Sequence, residues 1–123
     1  MLGIPSSAIE SDRIQYARGA ARRFACTVVL KGAPTVAAGP EGRVVVNATG
    51  NPGMATIGSG DVLTGVIAGL IAQGMAPSEA GWAGAYVHGL AGDLARDRYG
   101  IRGMLASDIL SNIPGALMAV HVS

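Results

Sequence analysis

Residues 48–61 read Ala-Thr-Gly-Asn-Pro-Gly-Met-Ala-Thr-Ile-Gly-Ser-Gly-Asp, with glycine at 50, 53, 58 and 60. That glycine density denies the segment a regular helix or strand, and its length exceeds that of an ordinary connector. Directly behind it Val62, Leu63, Val66, Ile67, Leu70 and Ile71 fall in helical pairs. The spacing predicts a largely buried helix with Gly74 as its C-terminal stop. The fold must therefore let a glycine-rich loop empty into the N-terminus of an apolar helix.

The flanking segments predict an α/β arrangement. Ser7-Ala8-Ile9-Glu10 has capping-box spacing, and Ile14, Ala17, Ala21 and Phe24 recur at helical intervals beside Arg13, Arg18, Arg22 and Arg23. This is an amphipathic helix, with a break allowed near Asp12. Thr27-Val28-Val29-Leu30 lacks polar alternation, which suits a strand buried on both faces in a parallel sheet. Thr35–Ala38 and Arg43–Asn47 read as two short strands in a hairpin about Gly39-Pro40-Glu41-Gly42. Pro77 and Glu79 open a helix that runs to Arg98 and stops at Gly100, with Gly81, Ala85, Gly89 and Gly92 on one face where another backbone can approach closely. Ser107 is placed to cap a helix over Asp108–Ile113, and Pro114 to kink or end it before Ala116–Val120.

Composition narrows the classes. With 123 residues there is material for one core or part of one. Only 14% of residues are charged and 50% are hydrophobic, so too few charges are present to coat a free-standing globule, and apolar surface is expected to be covered by another subunit or by further chain. A net charge of +1 with no basic tract argues against nucleic acid as a partner. The single Cys26 excludes an intrachain disulfide framework, and no Cys or His stands near it at zinc-ligand spacing. The most apolar stretch, Val62–Ala72, is about half a membrane span, and the N-terminus lacks a signal peptide's basic region. A protein of the reducing cytoplasm, without a membrane partner, is the expectation.

Gly58-Ser59-Gly60-Asp61 carries the sharpest chemical signal. Glycines let successive N–H groups converge, and a helix N-terminus adds partial positive charge, so Gly58, Ser59 and Gly60 form an anion hole that needs no basic side chain. A carboxylate at such a site makes sense when it accepts the proton of a hydroxyl that attacks a bound phosphoryl group, the role open to Asp61. The plainer reading is a tight turn capped by Asp61. Gly53–Gly58 has GxxxxG spacing but Ser59 follows it where a P-loop has Lys, and Gly58–Leu63 lacks the third glycine of a dinucleotide fingerprint. Lys31-Gly32-Ala33-Pro34-Thr35, at the end of the first strand, is the second candidate, because ligands gather at the carboxyl ends of strands in open α/β sheets. Its alternative is a solvated turn. His88 reads as a packing or capping residue, and Asp93, Arg96 and Asp97 as a solvated helix face.

Three blocks in this order, Val29–Thr35, Asn47–Gly65 and His88–Asp93, resemble the ADP- or ATP-dependent NAD(P)H-hydrate dehydratases, a family of the ribokinase-like fold. The resemblance implies an α/β, ribokinase-like αβα sandwich, and covers the C-terminal half of a domain ordinarily about twice as long. Residues 1–123 would then form a single partial domain whose missing N-terminal half carries several sheet strands and much of the hydrate pocket. It implies dehydration of (S)-NAD(P)H-hydrate at the expense of ADP or ATP, by phosphorylation of the ring hydroxyl and loss of phosphate. Carried over residue by residue, Lys31, Gly32, Ala33, Pro34 and Thr35 form the nucleotide-phosphate segment and Gly60 an anion-hole N–H near the adenylate. Asp61 is the base on the hydrate's hydroxyl and contacts that substrate. Mg²⁺ on the phosphates is expected, with no protein carboxylate pair to hold it, and a homo-oligomer is expected.

Two departures narrow the loop. Pro34 stands where the family usually has a small residue, and Ile57 where glycine is common. Neither removes a side chain that the chemistry requires. Two other readings stay open from the residues themselves: a sugar or vitamin kinase of the same fold, and a catalytically silent association module built on the Gly/Ala-faced helices.

Overall fold

The computed structural model describes residues 6–120, with side-chain environments from Asp12 onward. The capping-box side chains Ser7 and Glu10 lie outside that described set. Helix α1 (Ser6–Phe24) runs without a break at Asp12. It leads into β1 (Val28–Leu30), β2 (Val36–Ala38) and β3 (Val44–Val46), then a 3₁₀ turn (Pro52–Met54) and helices α2 (Ser59–Ala72), α3 (Pro77–Tyr99), α4 (Ala106–Ser111) and α5 (Ile113–Val120).

The three strands form one antiparallel sheet in the order β1-β2-β3, with Val29 opposite Ala37 and Ala37 opposite Val45. The parallel sheet expected from the Thr27–Leu30 run is thus not what these strands make with each other. Residues 31–35 and 39–43 are too few for a crossover, and short links force antiparallel neighbours. The apolar character on both faces has a different cause. Val28, Leu30, Val36, Ala38 and Val44 pack against Ala17 and Ala21 of α1, while Val29 and Ala37 point to the opposite face, where they approach Gly81 of α3. Alternate residues along each strand serve opposite layers, so α1, the sheet and α3 stack as an αβα sandwich.

The small-residue face of α3 brings the sheet and the glycine-rich loop close. A Cβ at Gly81 would lie 3.1 Å from Val29 Cγ2 and 3.2 Å from Thr27 Cγ2, and one at Gly89 would lie 2.7 Å from the carbonyl carbon of Thr49. The other end of α3 packs Val87, Ala91 and Ala95 with Met104, Ile109 and Ala116 in a second cluster.

Three expectations at the helices change. The helix behind the loop starts at Ser59, not Val62. It is not largely buried: Leu63 is its buried apolar residue, whereas Ile71 stands 42% exposed, because only the side facing α3 and α4 is covered within the described residues. Its end is as expected, with Gly74 at φ 103° and the Gly74→Ile71 and Met75→Leu70 backbone bonds of a Schellman motif. Finally, α4 is capped at Leu105, not Ser107. Asp108 lies three residues on and accepts the Leu105 N–H at 2.8 Å. The helix ends at Asn112, and Pro114 sits in the first turn of α5, where its missing N–H costs nothing. No helix of the described residues is long and apolar enough to cross a membrane.

Candidate functional site

The loop after β3 is laid along α3 by polar contacts repeated down that helix. Asn47 Nδ2 donates to the Ala85 carbonyl at 3.1 Å, and Thr49 Oγ1 donates to the Tyr86 carbonyl at 2.9 Å. Asp93 then accepts the Gly50 N–H at 3.1 Å and Asn51 Nδ2 at 2.9 Å. Asn51 in turn accepts the Gly53 N–H at 3.0 Å and caps the 3₁₀ turn. Asp93 is therefore more than a solvated helix residue, since it fastens the loop across 42 and 43 positions of sequence.

At its far end the loop turns into α2 through Gly58, whose φ of 88° is the left-handed conformation that glycine adopts without steric cost. Ser59 N–H closes that turn on the Thr56 carbonyl at 3.2 Å. The first-turn N–H groups of Gly60 and Asp61 donate to no backbone carbonyl among the described residues, as the geometry of a helix start requires. They lie at the positive end of the helix dipole. Asp61 is exposed in the same turn. Ile57, just before it, is 98% exposed.

Lys31 reaches this helix start from the end of β1. A Cβ built on Gly60 would lie 2.5 Å from Lys31 Nζ and 3.6 Å from its Cδ and Cε. The ammonium thus covers Gly60 where any side chain would displace it. The backbone beneath Lys31 is held by Arg13 of α1, whose guanidinium donates to the Leu30 and Lys31 carbonyls at 3.3 and 3.2 Å. Thr35 Oγ1 donates to the Gly32 carbonyl at 3.2 Å and closes the Lys31–Thr35 turn, in which the Ala33–Pro34 peptide is cis. Two segments separated by the whole hairpin therefore meet: the Lys31 turn and the Gly58–Asp61 helix start.

Residues absent from the sequence-derived set complete the arrangement. His88 Nε2 lies 3.0 Å from the Ser59 carbonyl and 3.4 Å from the Ser59 hydroxyl. Burial lowers its pKa below the ordinary 6.5, partly offset by the bond to Ser59. In the sequence Arg13 is one more cation on an amphipathic face. Nothing local to His88, Asp93 or Arg13 reveals their partners, which lie 17 to 43 residues away. Among the described residues no group of three or more His, Cys, Asp or Glu side chains could hold a metal ion.

The chain as a whole matches known proteins in sequence and in fold. The family model described as NAD(P)H-hydrate dehydratase matches residues 1–115. The bifunctional NAD(P)H-hydrate repair enzyme Nnr of Moorella thermoacetica is 51% identical over 117 residues, 95% of this chain and 22% of that protein. The ADP-dependent (S)-NAD(P)H-hydrate dehydratase of Neisseria meningitidis serogroup B is 44% identical over 110 residues, 89% of this chain and 37% of the relative. A crystal structure of the ADP/ATP-dependent NAD(P)H-hydrate dehydratase of Bacillus subtilis, co-crystallised with ATP and Mg²⁺, superposes with a TM-score of 0.85 at 32% identity. It covers 98% of this chain and 44% of the Bacillus chain. This chain thus spans from about a fifth to under half the length of the proteins it matches. Matched by the family model over residues 1–115 and sharing the Bacillus enzyme's fold, the chain belongs to the NAD(P)H-hydrate dehydratase family.

Proposed function

We propose that this chain supplies the phosphate-binding and proton-accepting part of an ADP-dependent dehydration of (S)-NAD(P)H-hydrate. The observation that carries the reading is the seat of Lys31 Nζ over Gly60, at a helix start whose next residue is the exposed Asp61. A cation, unpaired N–H groups and a carboxylate stand together there, the set needed to hold a phosphoryl group and deprotonate its acceptor.

In this reading the Lys31–Thr35 turn and the Gly58, Ser59 and Gly60 backbone hold the nucleotide phosphates, with Gly60 N–H nearest the transferring group. Asp61 contacts the hydrate and takes the proton of its ring hydroxyl. The hydroxyl oxygen bonds to the terminal phosphorus as the bond to the departing nucleotide breaks, leaving AMP when ADP is the donor. Inorganic phosphate then leaves the ring carbon, and loss of a proton from the neighbouring carbon restores the double bond. Mg²⁺ would neutralise phosphate charge, but the described residues form no cluster to fix it.

We assign residues 1–123 to the C-terminal half of the domain, with the hydrate pocket completed by an N-terminal half. The 44% coverage of the Bacillus chain supports a partial domain. So do exposed apolar residues such as Ile71, Leu110 and Met118, which a second half or a second copy in a homo-oligomer would cover. The lone, exposed Cys26 suits the cytoplasm.

The test is recovery of reduced-nicotinamide absorbance from hydrated NADH with Mg²⁺ and ADP or ATP, using the chain alone and combined with a polypeptide carrying the N-terminal half of a relative. The combined sample is expected to recover absorbance, and Asp61→Asn to lower the rate about 10²- to 10⁴-fold with ADP binding retained. Accumulation of a stable phosphate ester would make the protein a small-molecule kinase instead. An Asp61→Asn variant that turns over normally would overturn the role given to Asp61.

A further inference from the structure

The bond between His88 and the Ser59 carbonyl joins α3 to the peptide unit whose other end is the Gly60 N–H. A carbonyl oxygen accepts only, so at 3.0 Å His88 Nε2 carries the proton. Burial favours the neutral ring, which fixes that tautomer near neutral pH with the other nitrogen unprotonated. The Ser59–Gly60 peptide is planar. Holding its oxygen therefore sets the direction of the Gly60 N–H on the opposite side. Withdrawing electron density through the oxygen also makes that N–H a stronger donor, because hydrogen bonds in a chain polarise one another.

The anchor is rigid. His88 sits between the buried Val87 and Gly89, on a helix fastened to the same loop by Ala85, Tyr86 and Asp93. Ser59 itself is only 7% exposed, so water competes poorly for its carbonyl.

We propose that His88 is a positioning residue for the anion hole, orienting and polarising the Gly60 N–H through the Ser59 carbonyl without touching the ligand. The proposal rests on the reading of Gly60 as a phosphate donor, yet its first readout does not. In the ligand-free chain, the Gly60 amide resonance in ¹H–¹⁵N NMR is expected to move upfield in His88→Leu and His88→Asn. It should return toward the native position in His88→Gln, whose side-chain N–H reaches the place of Nε2. Asn is too short to reach, and stands in if the Leu variant does not fold.

Titration with ADP is the second readout. The Leu and Asn variants are expected to bind about three- to tenfold more weakly than the native chain, and Gln to bind within about twofold of it. A Gly60 resonance indifferent to all three substitutions overturns the proposal, as does failure of Gln to restore it where Leu and Asn have moved it. If ADP leaves the native Gly60 resonance unmoved, the nucleotide-site reading fails, whatever the ligand-free spectra show.

Discussion

Replacing Gly60 by alanine should move stability and ligand binding in opposite directions. Gly60 lies in the first turn of α2 with no positive φ, so alanine can adopt its backbone conformation. Relief of glycine's conformational entropy is worth up to about 1 kcal/mol, or about 3–5 °C in melting temperature for a domain of this size. The new Cβ meets one obstacle, Lys31 Nζ at 2.5 Å, with Cδ and Cε in ordinary contact at 3.6 Å. Because the obstacle is the free end of an exposed, flexible side chain, the fold yields cheaply and the ammonium leaves its seat. A charge-assisted hydrogen bond to phosphate contributes about 1.5–3 kcal/mol, so its loss should weaken ADP binding about 10- to 150-fold. Thermal melts followed by circular dichroism and ADP titrations followed by NMR read the two quantities on the same sample, with Lys31→Ala as a reference for the loss of the cation alone. Unchanged ADP affinity would refute the reasoning. So would a melting temperature that falls by several degrees, since it would show that Gly60 serves the packing of α2 rather than ligand approach.

Gly89→Ala should destabilise the chain by about 1–3 kcal/mol, because its Cβ would lie 2.7 Å from the Thr49 carbonyl carbon; a chemical-denaturation midpoint equal to the native one would contradict the packing of the loop on α3. Asp93→Ala removes the acceptor of the Gly50 N–H and of Asn51 Nδ2 and should cost about 1–2 kcal/mol, with accelerated amide exchange at Gly50 and Gly53 but not in β2. His88 supplies a pH dependence. Its folded pKa is below the ordinary 6.5, so between those values the unfolded chain binds more protons than the folded one. That stability is complete above about pH 6.5 and is lost as pH falls toward the folded value. Between pH 7.5 and 5.5 the native melting temperature should therefore fall more than that of His88→Gln, and equal slopes would contradict it.

Much of the layout is legible in the sequence. Glycine density at 48–61 announced an irregular loop, and the paired apolar residues from Val62 announced the helix it enters, because both signals are local. Gly74 and Gly100 marked helix ends for the same reason, and the hairpin about Gly39–Gly42 followed from its turn chemistry. The antiparallel pairing of β1 with β2 is not written in its apolar run, since such a run reports that both faces are covered but says nothing of which strand lies beside it. The exposure of α2 is not legible in this way, because composition shows that an apolar face exists, not that these residues cover it.

By itself the sequence determined which residues are candidates for the chemistry proposed above: the glycine turn at Gly58–Gly60, the carboxylate of Asp61 and the lysine-bearing turn at Lys31–Thr35. Their types and local spacing carry that information through backbone conformation and helix-end charge, which act over a few residues. Only the tertiary structure decided that Lys31 lies over Gly60, that Arg13 holds the backbone beneath Lys31, and that His88 and Asp93 fasten the two ends of the loop to one helix. Those contacts join residues 18 to 43 positions apart. The contacts to α3 exist because its small residues let the loop pack at backbone distance, a consequence of packing that no local pattern encodes.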